Sequence, residues 1–259
     1  MEGDATLVML FDAAGVNLSL PPGVDQILEK ALENPAFYDS ADLPGGEAMR
    51  EAPPFLRDSL LFGYLKGFLF AFKVRQAGGQ ALLDYAFATD PPRSTEQILH
   101  PEKWHGDRDD PIDLKLPDLG AGLPRLAERS GGEMGELGVY LLLREKLGDA
   151  GRAGRAAAGW GGDRFEVYAR GGERRLVWLL DWDTERDAHE FIAAARGLGR
   201  GWRIERLATR RVAVLRGDWP RQERSALRER LAAVAAQAPR NARIDLAAIG
   251  AGAHAARQP

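Results

Sequence analysis

The sequence contains no cysteine. Disulfides, thiolate zinc sites, iron–sulfur clusters and cysteine nucleophiles are therefore excluded. Lysine is scarce, at six residues against 29 arginines, which reads as a composition bias of the source genome rather than a binding signal. Long uncharged apolar runs are missing too. The most apolar stretch, Phe55 to Val74, is interrupted by Arg57, Asp58, Lys66 and Lys73, whereas a spanning helix needs about 20 largely uncharged residues. No signal peptide is read at the start, because Met-Glu-Gly-Asp puts no basic residue ahead of the first apolar stretch. There is no Gly-x-Ser-x-Gly elbow and no phosphate loop ending in Gly-Lys-Ser/Thr. Gly197-Leu198-Gly199-Arg200-Gly201 follows an expected helix rather than a strand, so a dinucleotide fingerprint is not supported.

What remains is ordinary globular material. The hydrophobic fraction is 45% and the charged fraction 28% over 259 residues, enough for one large domain or two modest ones with a real core. Net charge is −3, unevenly spread: residues 1–130 hold 12 basic and 21 acidic side chains, residues 131–259 hold 23 and 17. That asymmetry points to two parts with different surfaces. Arg203, Arg206, Arg210 and Arg211 cluster near an expected hairpin, but Glu205 is interleaved and the patch is short. No nucleic-acid partner is expected.

Apolar spacing at Leu7, Leu10, Phe11 and Ala14 predicts a first helix over residues 4–14. A helix that opens almost at Met1 with no capping segment ahead of it reads as cut off. A second helix is expected around Val24 to Leu32, then loop over residues 39–54. A long helix from Pro54 should stop at Gly78-Gly79, followed by a shorter one through Leu82 to Ala86. Ser94 or Thr95 can cap another short helix, and residues 133–147 and 150–158 predict two more. Beyond Gly159 the period changes. Strands are expected around Phe165–Tyr168 and Arg175–Leu180, then a helix capped at Asp183-Thr184. Strands at Trp202–Leu207 and Arg210–Arg216 and a helix from Pro220 complete the pattern. The expected class is α+β: a mainly helical part over residues 1–158, a small antiparallel sheet with helices on one face over 159–240, and a flexible tail over 241–259.

Three strings carry a resemblance. They are Glu2-Gly3-Asp4-Ala5-Thr6; Gly78-Gly79 with Asp84-Tyr85 and then Pro91-Pro92-Arg93-Ser94-Thr95-Glu96-Gln97-Ile98-Leu99-His100-Pro101-Glu102-Lys103; and Gly135-Glu136-Leu137-Gly138 with Ala156-Ala157-Ala158-Gly159-Trp160-Gly161-Gly162-Asp163-Arg164. In this order, and covering most of residues 1 to about 195, they resemble the C-terminal part of a bacterial family of zincin-like, gluzincin-type metallopeptidase-like proteins. The resemblance implies a zinc site in which a His-Glu-x-x-His helix supplies two imidazoles and a general base, and a later helix supplies a glutamate. Glu2 matches that glutamate, with Asp4 beside it as a supporting group. The His-Glu-x-x-His helix should lie ahead of Met1, and the sequence contains none. One carboxylate cannot hold catalytic zinc, which takes three protein ligands and a water, so no catalytic residue is assigned and no cofactor is expected unless the motif is supplied. By itself Glu2 also reads as a solvated terminal glutamate.

The nearest decoys are weak. His189-Glu190-Phe191-Ile192-Ala193 has alanine where a second histidine belongs and reads as a surface histidine on an amphipathic helix. In His100-Pro101-Glu102-Lys103-Trp104-His105 the five-residue spacing does not stack both imidazoles on one helical face. His100 is expected to make a structural hydrogen bond, with a substrate-side contact or metal ligation as alternatives. Glu96, Trp160, Asp163 and Arg164 are carried as motif residues. The glycine-rich string from Trp160 to Arg164 is either a ligand-binding turn or, preferably, a turn into a strand. The functional expectation is a metallopeptidase-like protein without activity of its own, partnered by a missing N-terminal lobe or by another copy through an apolar patch along Leu7, Leu10 and Phe11. The alternative is a non-enzymatic binding or assembly module.

Overall fold

A computed structural model describes residues 2–14, 51–117, 130–170, 172–237, 241, 243–247 and 249. The expected helix at Val24–Leu32, most of the loop expected before Pro54, the side chains of Leu10 and Phe11, and most of the tail lie outside the described residues. The chain forms two compact units. The first comprises Met1–Arg93, Gln97–Arg108 and Ala242–Pro259; the second comprises Ser94–Glu96 and Asp109–Asn241. The expected boundary at residue 158 thus falls inside the second unit.

The first unit is helical: α1 (Glu2–Ala14), α2 (Pro54–Ala88) and α4 (Glu102–His105), with α3 (Thr95–Leu99) divided between the units. Helix α2 opens at Pro54, where the missing N–H costs nothing. It breaks at the glycine pair, as the sequence predicts, with Gly78 at φ −147° and Gly79 at φ +68°. Phe68, Leu69, Phe70, Ala71, Phe72 and Val74 are buried with Leu7, Leu82, Leu83, Ala86 and Trp104. Five consecutive buried residues mean that α2 is covered all round at this level, not along one stripe. Leu7 is fully buried here, which corrects its expected place in an exposed patch; among the described side chains of α1, the large exposed apolar ones are Val8 and Met9. Helix α1 meets α2 at Gly3, where an added Cβ would sit 1.9 Å from the Gly67 carbonyl carbon.

The second unit is built on a five-stranded sheet in the order β2-β3-β4-β6-β5. Its strands are β2 (Gly131–Gly132), β3 (Trp160–Arg170), β4 (Glu173–Trp182), β5 (Trp202–Arg206) and β6 (Arg211–Arg216), and every neighbouring pair is antiparallel. The α+β class holds. Strand β3 starts earlier than its apolar pattern implies, because Trp160 pairs with Trp182 across an irregularity at Trp160/Gly162; β2, two glycines, carries no strand pattern at all. On one face, Trp178, Leu180, Trp182, Val212 and Val214 pack with Val139 and Leu143 of α5 (Gly135–Leu147), Ala153, Ala156 and Ala157 of α6 (Ala150–Ala157), and Phe191 of α7 (Glu185–Ala195). These contacts are why α5 and α6 belong with the sheet. The Phe191 ring lies 4.8 Å from Trp182 and 6.1 Å from Trp178. The opposite face carries Tyr168, Val177, Leu179, Ala213 and Leu215 against Leu227 and Leu231 of α8 (Arg221–Ala232). Helices therefore cover both faces, α8 taking the second one beside a small ladder of β1 (Asp113–Leu114) and β7 (Ala236–Gln237). The expected capping box of α7 is present, with Thr184 and Asp187 exchanging bonds.

Candidate functional site

Two of the three motif strings converge on the N-terminus of α5. An α-helix starts with four backbone N–H groups lacking intrahelical partners, and here side chains from distant segments meet them. The Asp163 carboxylate, on β3, accepts from Met134 N at 2.9 Å and Gly135 N at 2.9 Å. Thr95 Oγ1 accepts from Leu137 N at 3.2 Å. Asp163 also accepts from the indole N–H of Trp160 at 3.0 Å and of Trp178 at 2.7 Å. It is 2% exposed. Burial pushes its carboxyl above the usual carboxylate range, against the pull of these four donors. The glycines of the motifs answer to close approach. A Cβ on Gly135, at φ +67°, would stand 2.3 Å from Thr95 Oγ1, and one on Gly162 would stand 2.4 Å from the Ile112 carbonyl oxygen. Ile112 N in turn donates to Gly161 O at 2.7 Å.

Beside this junction Glu96, Asp109 and Asp183 bring one carboxylate oxygen each within 4.8 Å of one another. Glu96 is 2% exposed, and the backbone at Gly161 passes close, an added Cβ lying 3.1 Å from Asp183 Oδ1. An all-oxygen set suits a hard cation such as calcium or magnesium rather than a gluzincin zinc, which takes imidazoles. Sequence reasoning singled out Glu96 but neither partner. Asp109 sits in a polar stretch with no motif, and Asp183 reads as part of a helix cap; only the fold gathers the three.

The other expected site residues are dispersed. Glu2 is exposed and Asp4 half-buried in the first turn of α1. His100 is half-buried with Nδ1 3.8 Å from Glu102 Oε1. His105 lies edge-on to Trp104, their ring centroids 6.2 Å apart, and burial lowers its imidazole's pKa against the opposing charge of Glu102. Neither histidine enters a grouping of three metal-ligating side chains among the described residues. His189 lies on the exposed face of α7, its Nε2 2.5 Å from Arg206 Nη1, and Arg206 also donates to Glu185 at 2.5 Å. Arg164 stands 3.9 Å from Glu133. Partial desolvation of Glu133, whose side chain is still 53% exposed, and then the nearby charge of Asp163 raise its pKa, and Arg164 opposes the rise.

Residues 125–246 match a domain of unknown function (DUF8575). The matched span takes in the whole five-stranded sheet, α5–α8 and Asp163 with its four donors, and leaves out α1, α2, Thr95, Glu96 and Asp109. Comparison with curated proteins and with solved structures finds no match.

Proposed function

We propose that this chain is a non-catalytic lobe of the zincin-like, gluzincin-type kind, able to present a glutamate to a zinc site but not to hydrolyse peptides by itself. The observation that carries the reading is the setting of Glu2. Its side chain is exposed in the first turn of α1, and the adjacent Gly3 lies so close to Gly67 that no side chain fits between the helices. The close approach fixes the backbone from which the carboxylate projects, so that only the Glu2 side chain itself would have to be ordered on a metal. The residues gathered here do not fit catalytic zinc. The one metal-competent trio among the described residues is all carboxylate and does not include Glu2. No hydrolytic step is therefore assigned to this chain, and the two imidazoles and base of a His-Glu-x-x-His helix would come from residues outside this sequence.

A second reading, a binding or assembly module, is favoured by a different observation. Among the described residues every large exposed apolar side chain lies in the first unit, with Val8 and Met9 on α1 and Leu56, Leu60 and Tyr64 on α2. Incubating the pure chain with casein and zinc, with and without a chelator, tests the first reading. No turnover is expected. Chelator-sensitive turnover would overturn it.

A further inference from the structure

We propose that two copies of this chain associate through the outer edge of β5, pairing antiparallel about Ile204 to continue the sheet across a two-fold axis. Among the described residues, strand β5 is the last in its sheet, bonded on one side to β6. The register fixes which backbone groups are used. Leu207 N donates to Arg211 O at 2.9 Å and Gly217 N to Gly201 O at 3.4 Å. Both lie in the register that pairs Arg203 with Leu215 and Glu205 with Ala213. Hydrogen-bonded pairs alternate along an antiparallel ladder, so residues 203 and 205 point their N–H and C=O groups at β6. Ile204 and Arg206 point theirs outward, along an edge that no strand among the described residues covers; Trp202 N, on the same edge, donates to Gly199 O at 3.4 Å.

An edge of this kind is a template for another strand unless its side chains forbid it. Those of β5 select a copy of themselves. With Ile204 facing Ile204, the outward backbone groups meet in register, and Arg203 of each copy lies directly opposite Glu205 of the other. This is a position without backbone bonds between the copies, where cross-strand side chains come closest. Charge thus matches at both symmetry-related places, and a two-fold contact closes on itself without leading to a fibre. A like-charged edge would refuse this pairing, whereas one positive and one negative residue placed symmetrically about the centre favour it. Residues 203 and 205 share the face covered by α8, where Arg228 Nη1 lies 3.8 Å from Glu205 Oε2. Trp202 and Ile204 lean to the face packed by α7.

The test is the mass of the full chain in solution over a concentration series, with circular dichroism to confirm that each variant folds. Wild type is expected to reach a dimer. Arg203→Glu sets glutamate opposite glutamate at both places and should weaken the dimer at least about tenfold. Glu205→Arg should do the same. Mixing these two variants restores opposite charges at both places and should restore association as a mixed dimer. A wild-type chain that stays monomeric overturns the proposal, as does a dimer indifferent to Arg203→Glu or a mixture that fails to associate. Because this readout is assembly, it stands apart from the casein test of the preceding reading.

Discussion

At the scale of single residues, Asp163 has the clearest consequence. Its carboxylate meets two backbone and two indole N–H groups while 2% exposed. Removing it leaves four donors unpaired, three of them buried and the Met134 N–H partly so, each buried one costing about 1–3 kcal/mol. Asp163→Ala is expected to lower the stability of the second unit by on the order of 3–5 kcal/mol, allowing for relaxation, as measured by urea unfolding followed by tryptophan fluorescence. Glu133 gives a pH dependence. Its carboxyl holds a proton more tightly folded than unfolded, so it favours the folded state at acid pH. That contribution is lost as pH rises through the ordinary glutamate value to the raised folded one. Glu133→Gln should therefore raise the melting temperature near neutral pH and leave it unchanged below about pH 4. His105 acts with the opposite sense. Its lowered folded pKa means that its contribution is present above about pH 6.5 and is lost as pH falls towards the folded value. His105→Gln should flatten that part of the melting profile.

At the scale of elements, glycines set how closely segments approach. Gly3 lies at the crossing of α1 and α2 with a Cβ position 1.9 Å from the Gly67 carbonyl carbon. That obstacle is backbone and cannot swing aside. Gly3→Ala must push the helices apart and is expected to cost about 1–3 kcal/mol or more, readable as a lower urea midpoint with loss of helical dichroism from the first unit. The α7 cap is milder: Thr184→Ala removes one half of the capping box and should cost about 1 kcal/mol. Helices α5, α7 and α8 and strands β4, β5 and β6 were legible from periodicity and caps, because each has an apolar face with a matching period. Strand β2 was not, because two glycines have no face. Trp160 to Gly162 read as a turn because glycine is a turn residue; the strand continues there because Ile112 packs against Gly161 and Gly162.

At the scale of the whole molecule, no helix among the described residues is long and apolar enough to cross a membrane. A ligand raises the melting temperature only if the folded state offers a site that the unfolded chain lacks. Since the described residues gather no imidazole-containing site, added zinc should leave the melting temperature unchanged. A zinc-dependent rise abolished by Glu2→Gln would instead mean that the chain completes a site from its own residues.

The amino-acid sequence by itself determined what depends on neighbours along the chain: the α+β class, most element types, the α7 cap, the break at Gly78-Gly79, and the exclusion of cysteine chemistry. It also picked out Glu96, Thr95 and Asp163 as residues in unusual strings. Tertiary structure decided what depends on segments meeting. It assigned α5 and α6 to the sheet, placed α8 on the sheet's second face, buried Leu7, made Asp163 the cap of a helix to which it is not adjacent, and joined Glu96 to Asp109 and Asp183. Local propensity and period act over a few residues, whereas burial and carboxylate clustering act between residues that only folding brings together.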